Sequence, residues 1–289
     1  MNMNGFYDKI DGFFAAKDFS GAESYMKETL AQAEFEDDPS ATVTVCNELG
    51  GFYRAFSRYN EGIPLYEKAL GCIRRLGLEN SEGHGTTLLN FATTLAIVGQ
   101  QDRALNAYQQ AAGIFEGPSY AKDFRLATLY NNMSSLYQDM NRLDESEKYL
   151  RKAMSILENL HQSEIEIATT WSNLAGVYLA MEPAHLQEAK DAAKKAIAIF
   201  NQVSGDSDVH YAPAVSALGE VYYLEGDFKA AEDQFRKSMA LSKRDYGDQT
   251  LGYAVLCANL AATLKAQDRL DESAEYLAKA QDIQERLGV

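Results

Sequence analysis

The chain has 289 residues, 46% of them hydrophobic, and its 27 basic and 42 acidic residues give a net charge of −15 at pH 7. This hydrophobic content excludes a disordered chain, and the length corresponds to about two domains of roughly 100 to 200 residues each. The longest apolar stretch, near residues 91–98, is far shorter than the ~20 residues of a membrane-spanning helix. We therefore expect no membrane partner. Because the excess negative charge repels phosphate backbones, we also expect no nucleic acid as a partner.

The N-terminal segment and the cysteines indicate the compartment. Residues 1–14 carry Asp8 and Asp11 where a signal peptide is apolar, and they do not open with a basic segment. The three cysteines are an odd number without a CxxC pair, which favours a reducing compartment over a disulfide framework. We therefore expect a cytoplasmic protein whose cysteines are small buried hydrophobes, namely Cys46, Cys72 and Cys257.

Amphipathic helices are predicted in pairs along the chain. In one pair, Tyr130, Met133 and Tyr137 share a helical face. A polar turn follows at residues 139–142, and a second apolar face begins at Leu143. No segment shows the alternation of a strand. The pattern predicts an all-α chain of seven helix–turn–helix units, with approximate limits 4–38, 40–80, 82–120, 124–162, 165–206, 209–248 and 251–289.

These units repeat in sequence. Residues 141–153 have a near copy at residues 268–280, identical at nine of thirteen positions and offset by 127 residues. An anchor position inside each first helix recurs with steps of 42, 42, 41, 44 and 42 residues, at Glu48, Asn90, Asn132, Asn173, Ala217 and Asn259. A small residue late in each second helix keeps nearly the same period, at Ala69, Ala111, Ala153, Ala196, Ser238 and Ala280. Two markers with one period indicate a repeat protein.

The pattern resembles the tetratricopeptide repeat, as in Trp171, Leu174, Ala175, Tyr178, Ala189, Ala193 and Ala196. The common period of that family is about 34 residues, and the longer period of this chain resembles the variant of kinesin light chains and many bacterial regulators. The resemblance covers almost the whole chain. It implies a single domain over residues 1–289, an α-solenoid with a right-handed superhelix, whose first helices line a concave groove that holds peptides or partner helices. Because the family hosts many roles, it does not by itself identify a function.

Catalytic patterns are missing from the sequence. The four histidines are scattered over different units, and no pair has the spacing of metal ligands. The phosphate-binding glycine loops and the serine nucleophile motif are absent. Residues 206–208 (Asp-Ser-Asp) lack the glycine and the twelfth-position glutamate of a calcium loop. We therefore expect no enzyme activity, no catalytic residues, no metal site and no cofactor.

Asparagine recurs at one register of the first helices, although it is a mediocre helix former. Four of the six anchors are asparagine, and four of the six positions one turn earlier are threonine. Two interpretations stay open: the amides bind a peptide backbone, or they bond the neighbouring helix and fix the stacking. The binding interpretation predicts a concave site formed by Asn90, Asn131, Asn132, Asn173, Asn259, Thr128, Thr169 and Gln138.

The charges near this register indicate the kind of ligand. Some family members clamp a terminal carboxylate with lysines or arginines, and such residues do not recur at these positions. Glu48, Asp139 and Glu220 instead make the wall mildly acidic. A neutral or basic peptide segment is therefore favoured.

The leading hypothesis is a non-catalytic scaffold or adaptor that holds a peptide or a protein partner. An intracellular regulator that senses a short signalling peptide is the second hypothesis, although we expect such a regulator to carry an effector domain for which the sequence shows no spare segment. A third hypothesis is weak homodimerisation through the terminal units. The last helix is expected to keep a partly uncovered apolar stripe, formed by Leu277, Ala280, Ile283 and Leu287. At the other end, apolar residues crowd the first helix at Phe6, Ile10, Phe13 and Phe14.

Overall fold

The computed structural model describes residues 3–117 and 124–287. Within these ranges the chain forms fourteen α-helices, one 3-10 turn at Gly205–Ser207 and no β-strand, which confirms the predicted all-α fold of paired helices. None of the described helices combines the length and the apolar character of a membrane span. The predicted ends of the third and seventh units, residues 120 and 289, lie outside the described residues. The helices are α1 (Met3–Ala15), α2 (Phe19–Phe35), α3 (Pro39–Ala55), α4 (Tyr59–Leu76), α5 (Glu82–Ile97), α6 (Gln101–Phe115), α7 (Phe124–Asp139), α8 (Leu143–Leu157), α9 (Glu164–Ala180), α10 (Leu186–Val203), α11 (Tyr211–Leu224), α12 (Phe228–Tyr246), α13 (Leu251–Ala266) and α14 (Leu270–Leu287).

Short polar side chains begin several of these helices. Asp18, Asp38 and Asp227 each accept a hydrogen bond from the backbone N–H three residues later, at 2.9, 3.0 and 3.1 Å. Ser81 and Thr250 cap α5 and α13 in the same way through their hydroxyl oxygens. Because the first N–H groups of a helix have no partner within it, each such cap stabilises its helix by about 1 kcal/mol.

One turn conformation joins the two helices in six hairpins. In each turn, one residue is left-handed with φ between 56° and 83°, and the next residue donates its N–H to the carbonyl five residues earlier. This motif satisfies the last carbonyl groups of a helix. The left-handed residue is a glycine in only two of the six turns: Lys17, Ser57, Gly99, Asn141, Gly226 and Asp268. The α9–α10 hairpin is joined by a longer segment, residues 181–185.

Within a hairpin, the two helices approach closely where the first helix carries a glycine. A β-carbon at Gly50 would lie 2.6 Å from Cζ of Tyr66, and a β-carbon at Gly219 would lie 3.0 Å from the ring of Phe235. Both aromatic side chains are fully buried on the second helix of the hairpin. The ring therefore occupies the space that the missing side chain leaves, which explains why a small residue follows the leucine in the repeat.

The described contacts divide the chain into two compact units, residues 1–136 and residues 137–289, named below the N-terminal unit and the C-terminal unit. In each unit the second helix of one hairpin packs against the first helix of the next, as α4 does against α5 and α12 against α13. Each unit has its own apolar core, around Leu49 in the first and around Tyr178 and Leu260 in the second. The interpretation of the chain as one continuous domain stays a prediction.

The three cysteines lie inside these cores. Cys46, Cys72 and Cys257 are buried and free, as the sequence predicted. Burial raises the pKa of the Cys46 thiol to about 12. Because the thiolate is the reactive form, a thiol that stays protonated is an inert part of the core.

Candidate ligand-binding surface

The predicted site residues all belong to first helices, and all eight are half-buried. We call the solvent-facing side of the odd-numbered helices the first-helix face. The N-terminal unit contains Asn90 on α5 together with Thr128, Asn131 and Asn132 on α7. The C-terminal unit contains the other four residues, which are Gln138, Thr169, Asn173 and Asn259.

In the N-terminal unit, the amide of Asn132 links two neighbouring first helices. Its Nδ2 donates a hydrogen bond to Oγ1 of Thr93 on α5, 3.3 Å away. Thr93 also accepts a hydrogen bond from the Tyr108 hydroxyl at 3.1 Å and donates its own hydroxyl to the carbonyl of Leu89. This network ties α7 to the α5–α6 hairpin, so the amino group of Asn132 serves the stacking of helices.

Two further bridges join α3 to α5. The guanidinium of Arg54 donates to Oδ1 of Asn90 at 3.4 Å. Nδ2 of Asn47 donates to Oγ1 of Thr87 at 2.9 Å, and neither of these two residues belongs to the predicted site. The contacts of Asn90 and Asn132 support the stacking interpretation for these two amides, whereas their role toward a ligand stays a prediction.

Three predicted residues bond to their own helices. Thr128, Asn131 and Thr169 each donate a hydrogen bond to the backbone carbonyl four residues earlier, at 3.1, 3.2 and 2.9 Å. This backward bond is common for polar side chains inside helices. A hydroxyl that donates in this way still has an oxygen lone pair, so both threonines can accept a hydrogen bond from a ligand.

In the C-terminal unit, Gln138 lies against a glycine of the next first helix. Its Nε2 is 3.8 Å from the point that a β-carbon of Gly176 on α9 would occupy. Gly176 follows Asn173 by three residues, the same offset at which Thr93 follows Asn90 in the N-terminal unit. The glycine offers no side chain for a bridge at this register, and Gln138 covers its backbone instead.

Asn259 on α13 faces an open pocket. The pocket has a volume of about 160 Å³, and it is lined by Glu220, Tyr223, Leu224, Phe235, Asn259 and Ala262. Among the described residues, neither the side-chain amide of Asn259 nor the carboxylate of Glu220 has a hydrogen-bond or ion-pair partner. Burial raises the pKa of Glu220 above its ordinary value.

A second, mostly apolar pocket lies where α11 and α13 meet α12, nearer the N-terminal ends of α11 and α13. It has a volume of about 480 Å³, and its lining includes Pro213 and Ser216 of α11 together with Val255 of α13. Val255 and Tyr246 line this pocket while remaining 49% and 59% exposed. Apolar surface is thus accessible to a ligand here. We call the two pockets together the α11–α13 groove.

The chemistry available on the first-helix face is that of recognition. No cluster of three histidine, cysteine, aspartate or glutamate side chains within residues 3–117 and 124–287 could hold a metal ion. The α11–α13 groove supplies an amide, a carboxylate, hydroxyl groups and apolar walls. These groups can hydrogen bond, pair with a cation and bury apolar side chains.

Comparison with known proteins identifies the repeat. The model of the tetratricopeptide repeat family matches residues 39–117, 125–202, 166–244 and 210–286, which is well over half of the chain. The chain belongs to the tetratricopeptide repeat family. The resemblance inferred from the anchors and the small residues is thereby confirmed.

Among curated proteins, this tetratricopeptide repeat chain is similar to Protein KINESIN LIGHT CHAIN-RELATED 2 of Arabidopsis thaliana. The two are 23% identical over 256 residues, which cover 88% of this chain and 38% of the plant protein. The predicted likeness to the kinesin-light-chain form of the repeat is confirmed. The chain spans well under half the length of the first curated relatives that it matches.

Solved tetratricopeptide repeat structures share the fold. BtubC from P. vanneervenii superimposes with a TM-score of 0.61 at 20% identity, covering 80% of this chain and 92% of its own. NprR in complex with its cognate peptide NprX superimposes with a TM-score of 0.67 at 14% identity, covering 97% and 78%. At such identities the likeness concerns the fold alone, and it confirms an α-solenoid of stacked hairpins.

The period of the tetratricopeptide repeat predicted the anchor positions, but it did not predict the residues to which the anchors hydrogen bond. The sequence singled out Asn90 and Asn132, whereas it did not assign Thr93 or Thr87 to any bridge. A signal was present in the register, because Thr93 stands three residues after an anchor and so faces the next first helix. The same offset places Glu220, which the sequence singled out only as an acidic residue of the wall, three residues after Ala217.

Proposed function

We propose that this tetratricopeptide repeat chain is a non-catalytic scaffold or adaptor that holds a peptide segment or a protein partner on its first-helix face. The observation that carries the proposal is the α11–α13 groove, where polar groups without partners lie beside accessible apolar surface. A ligand that covers such groups supplies the hydrogen bonds that they lack. A protein of similar fold, NprR, has been solved with its cognate peptide bound.

The predicted amides divide into two roles under this proposal. Asn173 and Asn259, with Gln138 and the two predicted threonines, are expected to contact the ligand. Asn90 and Asn132 are expected to contribute mainly to stacking, because each already bonds a neighbouring helix. Asn131 keeps its predicted place on α7 as a secondary contact.

The ligand segment is expected to be neutral or basic. The chain carries a net charge of −15 at pH 7. On the first-helix face, burial raises the pKa of both Glu48 and Glu220, so each carboxylate gains from a nearby positive charge. A phosphate-rich or strongly acidic partner is disfavoured by the same charges. We place the protein in the cytoplasm on the strength of its buried, unpaired cysteines.

The test begins with capture of the native partner on the immobilised full chain, followed by mass spectrometry. The captured segment is then titrated calorimetrically against the wild type, Asn173→Ala and Asn259→Ala. Each substitution should weaken binding several-fold, on the order of 1 kcal/mol for one lost hydrogen bond. Asn106→Ala, which alters an exposed asparagine on the second helix α6, serves as the control and should bind like the wild type. Unchanged affinity in both test variants would contradict the assignment.

A regulator that senses a short signalling peptide is the second candidate. The likeness of the fold to that of NprR, which was solved with its cognate peptide, supports this candidate. Ligand size separates the scaffold from the sensor, since a scaffold captures a protein and a sensor captures a free peptide. Mass spectrometry of the captured material distinguishes these outcomes directly.

Weak homodimerisation through the terminal hairpins is a further proposal, on a smaller surface than the sequence predicted. Ala280 and Ile283 are buried in the core of the last hairpin, because α13 covers them. Leu277 and Leu287 remain 47% and 49% exposed. Phe6 and Ile10 are likewise buried, and Phe14 keeps 41% of its surface exposed. Light scattering that gives only a 32.0 kDa species at high concentration would exclude the dimer.

A further inference from the structure

One pair of positions is occupied differently in the two units. In the N-terminal unit, Asn132 bonds Thr93, which lies 39 residues earlier. In the C-terminal unit, the pair with the same spacing of 39 residues is Glu220 and Asn259. These two side chains make no hydrogen bond with each other, and both line the pocket of about 160 Å³. The two positions are joined by a hydrogen bond in the N-terminal unit, whereas in the C-terminal unit they border a pocket.

The carboxylate of Glu220 has no ion-pair partner among the described residues. Glu220 is half-buried, and burial raises its pKa. By contrast, Glu232 on the neighbouring helix α12 is paired with Arg236 at 2.8 Å and Arg269 at 2.6 Å. A positive group that enters the pocket would therefore meet an unpaired charge that is partly shielded from water, where attraction is stronger than at a fully solvated surface.

No anchor side chain of α11 fills the space between α11 and α13. At the anchor position α11 carries Ala217, which has no polar side-chain group with which to bridge to a neighbouring first helix. The stacking of the hairpins is supplied instead by α12, which packs against both α11 and α13. The space between the two first helices is thus left to the pockets rather than to a bridge.

The distance between the pockets fits a short extended segment. Seven residues of α11 separate Pro213 in the larger pocket from Glu220 in the smaller one. At a rise of ~1.5 Å per residue this is ~10 Å along the helix. A peptide in the extended polyproline II conformation covers that length with about three residues, at ~3.1 Å each, and side chains three residues apart then lie on the same side of the peptide. One peptide can therefore place a side chain in each pocket.

We propose that the α11–α13 groove binds a peptide segment in the extended polyproline II conformation, through a lysine or arginine paired with Glu220 and an apolar side chain, about three residues away, seated in the larger pocket. This inference rests on the proposed function and specifies the chemistry of its ligand. Oδ1 of Asn259 accepts a second N–H of the cation, and Tyr223 and Leu224 flank its aliphatic stem. Val255 and Tyr246 supply apolar contacts at the other end.

The experiment is selection from a phage-displayed library of random linear peptides on the immobilised full chain. Wild type, Glu220→Gln and Glu220→Lys are used as separate baits, with Glu275→Gln on the exposed side of α14 as the matched control. Wild type and control should enrich peptides with lysine or arginine near an apolar residue. A synthetic copy of the enriched peptide should bind Glu220→Gln about tenfold or more weakly, since a charge-assisted hydrogen bond is lost. Glu220→Lys should enrich acidic residues at the same position.

A further variant tests the inference through a gain of binding. Asn259→Asp adds a second carboxylate to the pocket and should tighten binding of the basic peptide. Circular dichroism establishes that each bait is folded, which we expect because none of the changes removes a core side chain.

The outcomes separate the two proposals. Peptides that lack a basic residue and bind Glu220→Gln as well as wild type would overturn the inference while leaving peptide binding intact. Failure of the wild type to enrich any peptide would overturn the proposed function together with the inference. A basic preference that persists unchanged in Glu220→Lys would show that another site selects the charge, and it would also overturn the assignment.

Discussion

At the register where Asn132 of the N-terminal unit reaches Thr93, the C-terminal unit carries Asn259 and Glu220 with a pocket beside them. The backbone elements are alike, since both pairs lie on successive first helices of tetratricopeptide hairpins. The side chains decide whether the space between those helices is filled by a hydrogen bond or left accessible. A register of polar residues in a repeat protein can therefore be bridged in one place and left accessible in another.

The comparison also shows that the bridge is not what holds the hairpins together. Both units pack the second helix of a hairpin against the next first helix, and both bury an aromatic ring against a glycine inside a hairpin. The amide bridge adds to this packing in the N-terminal unit. Where it is missing, the C-terminal unit gains surface for a ligand.

The largest expected effect concerns the packing that the two units share. Gly50→Ala would bring a β-carbon to 2.6 Å from Tyr66, and such overpacking lowers the free energy of unfolding by about 2 kcal/mol. Gly219→Ala, with 3.0 Å to Phe235, should lower it less. Urea unfolding measures both. Gly51→Ala is the control, because nothing lies within 4 Å of its added carbon, and it should stabilise the helix by roughly 0.5–1 kcal/mol.

A smaller effect separates the bridged amide from the open one. Asn132→Ala removes the bond to Thr93 and should lower the free energy of unfolding by about 1 kcal/mol. Asn259→Ala removes no hydrogen bond within the described chain and replaces a mediocre helix former, so we expect no loss or a slight gain. Thermal unfolding of the two variants side by side checks this difference. Equal destabilisation would mean that the two registers are equivalent.

The smallest effect is a pH dependence at Glu220. Burial raises its pKa above 4.5, so the folded state binds the proton more tightly than the unfolded chain does. The charged form therefore lowers stability above the folded pKa, and this loss is absent below the unfolded value. Glu220→Gln should melt at a higher temperature than wild type near neutral pH, and the difference should vanish as the pH falls below 4.5. A difference that grows in acid would contradict the assignment.

Glu232 provides the opposite case on α12. Burial alone would raise its pKa, but hydrogen bonds from Arg236, Gln267 and Arg269 outweigh burial and lower it. The stability that these bonds contribute is present above the unfolded pKa and is lost as the pH falls through the folded pKa. Glu232→Gln should therefore melt below wild type near neutral pH, with a difference that shrinks in acid.

The sequence was sufficient for the fold because the repeat constrains it many times over. Each hairpin repeats the anchor, the small residue and the turn, so an ambiguous helix in one unit is resolved by its neighbours. The step of 44 residues between Asn173 and Ala217 includes the longer segment that joins α9 and α10, residues 181–185. The family followed from the same positions.

The sequence alone did not predict which polar side chains form hydrogen bonds to a neighbouring helix. Whether an anchor amide is bridged depends on the residue three positions beyond the previous anchor, which is Thr93 before Asn132 but Glu220 before Asn259. Periodicity within one helix does not contain that pairing. The exposure of the last helix was also partly mispredicted, since Ala280 and Ile283 point toward α13 and are covered by it.

The recurrence of one turn in six hairpins has a consequence for how this surface can change. The turn is closed by backbone hydrogen bonds, and its left-handed position is occupied by lysine, serine, asparagine and aspartate as well as by glycine. The geometry of these turns therefore does not depend on the chemistry of the solvent-facing side chains. Under the proposed function, a substitution at a single position such as Glu220 would change which ligand is bound without changing the geometry of the hairpins.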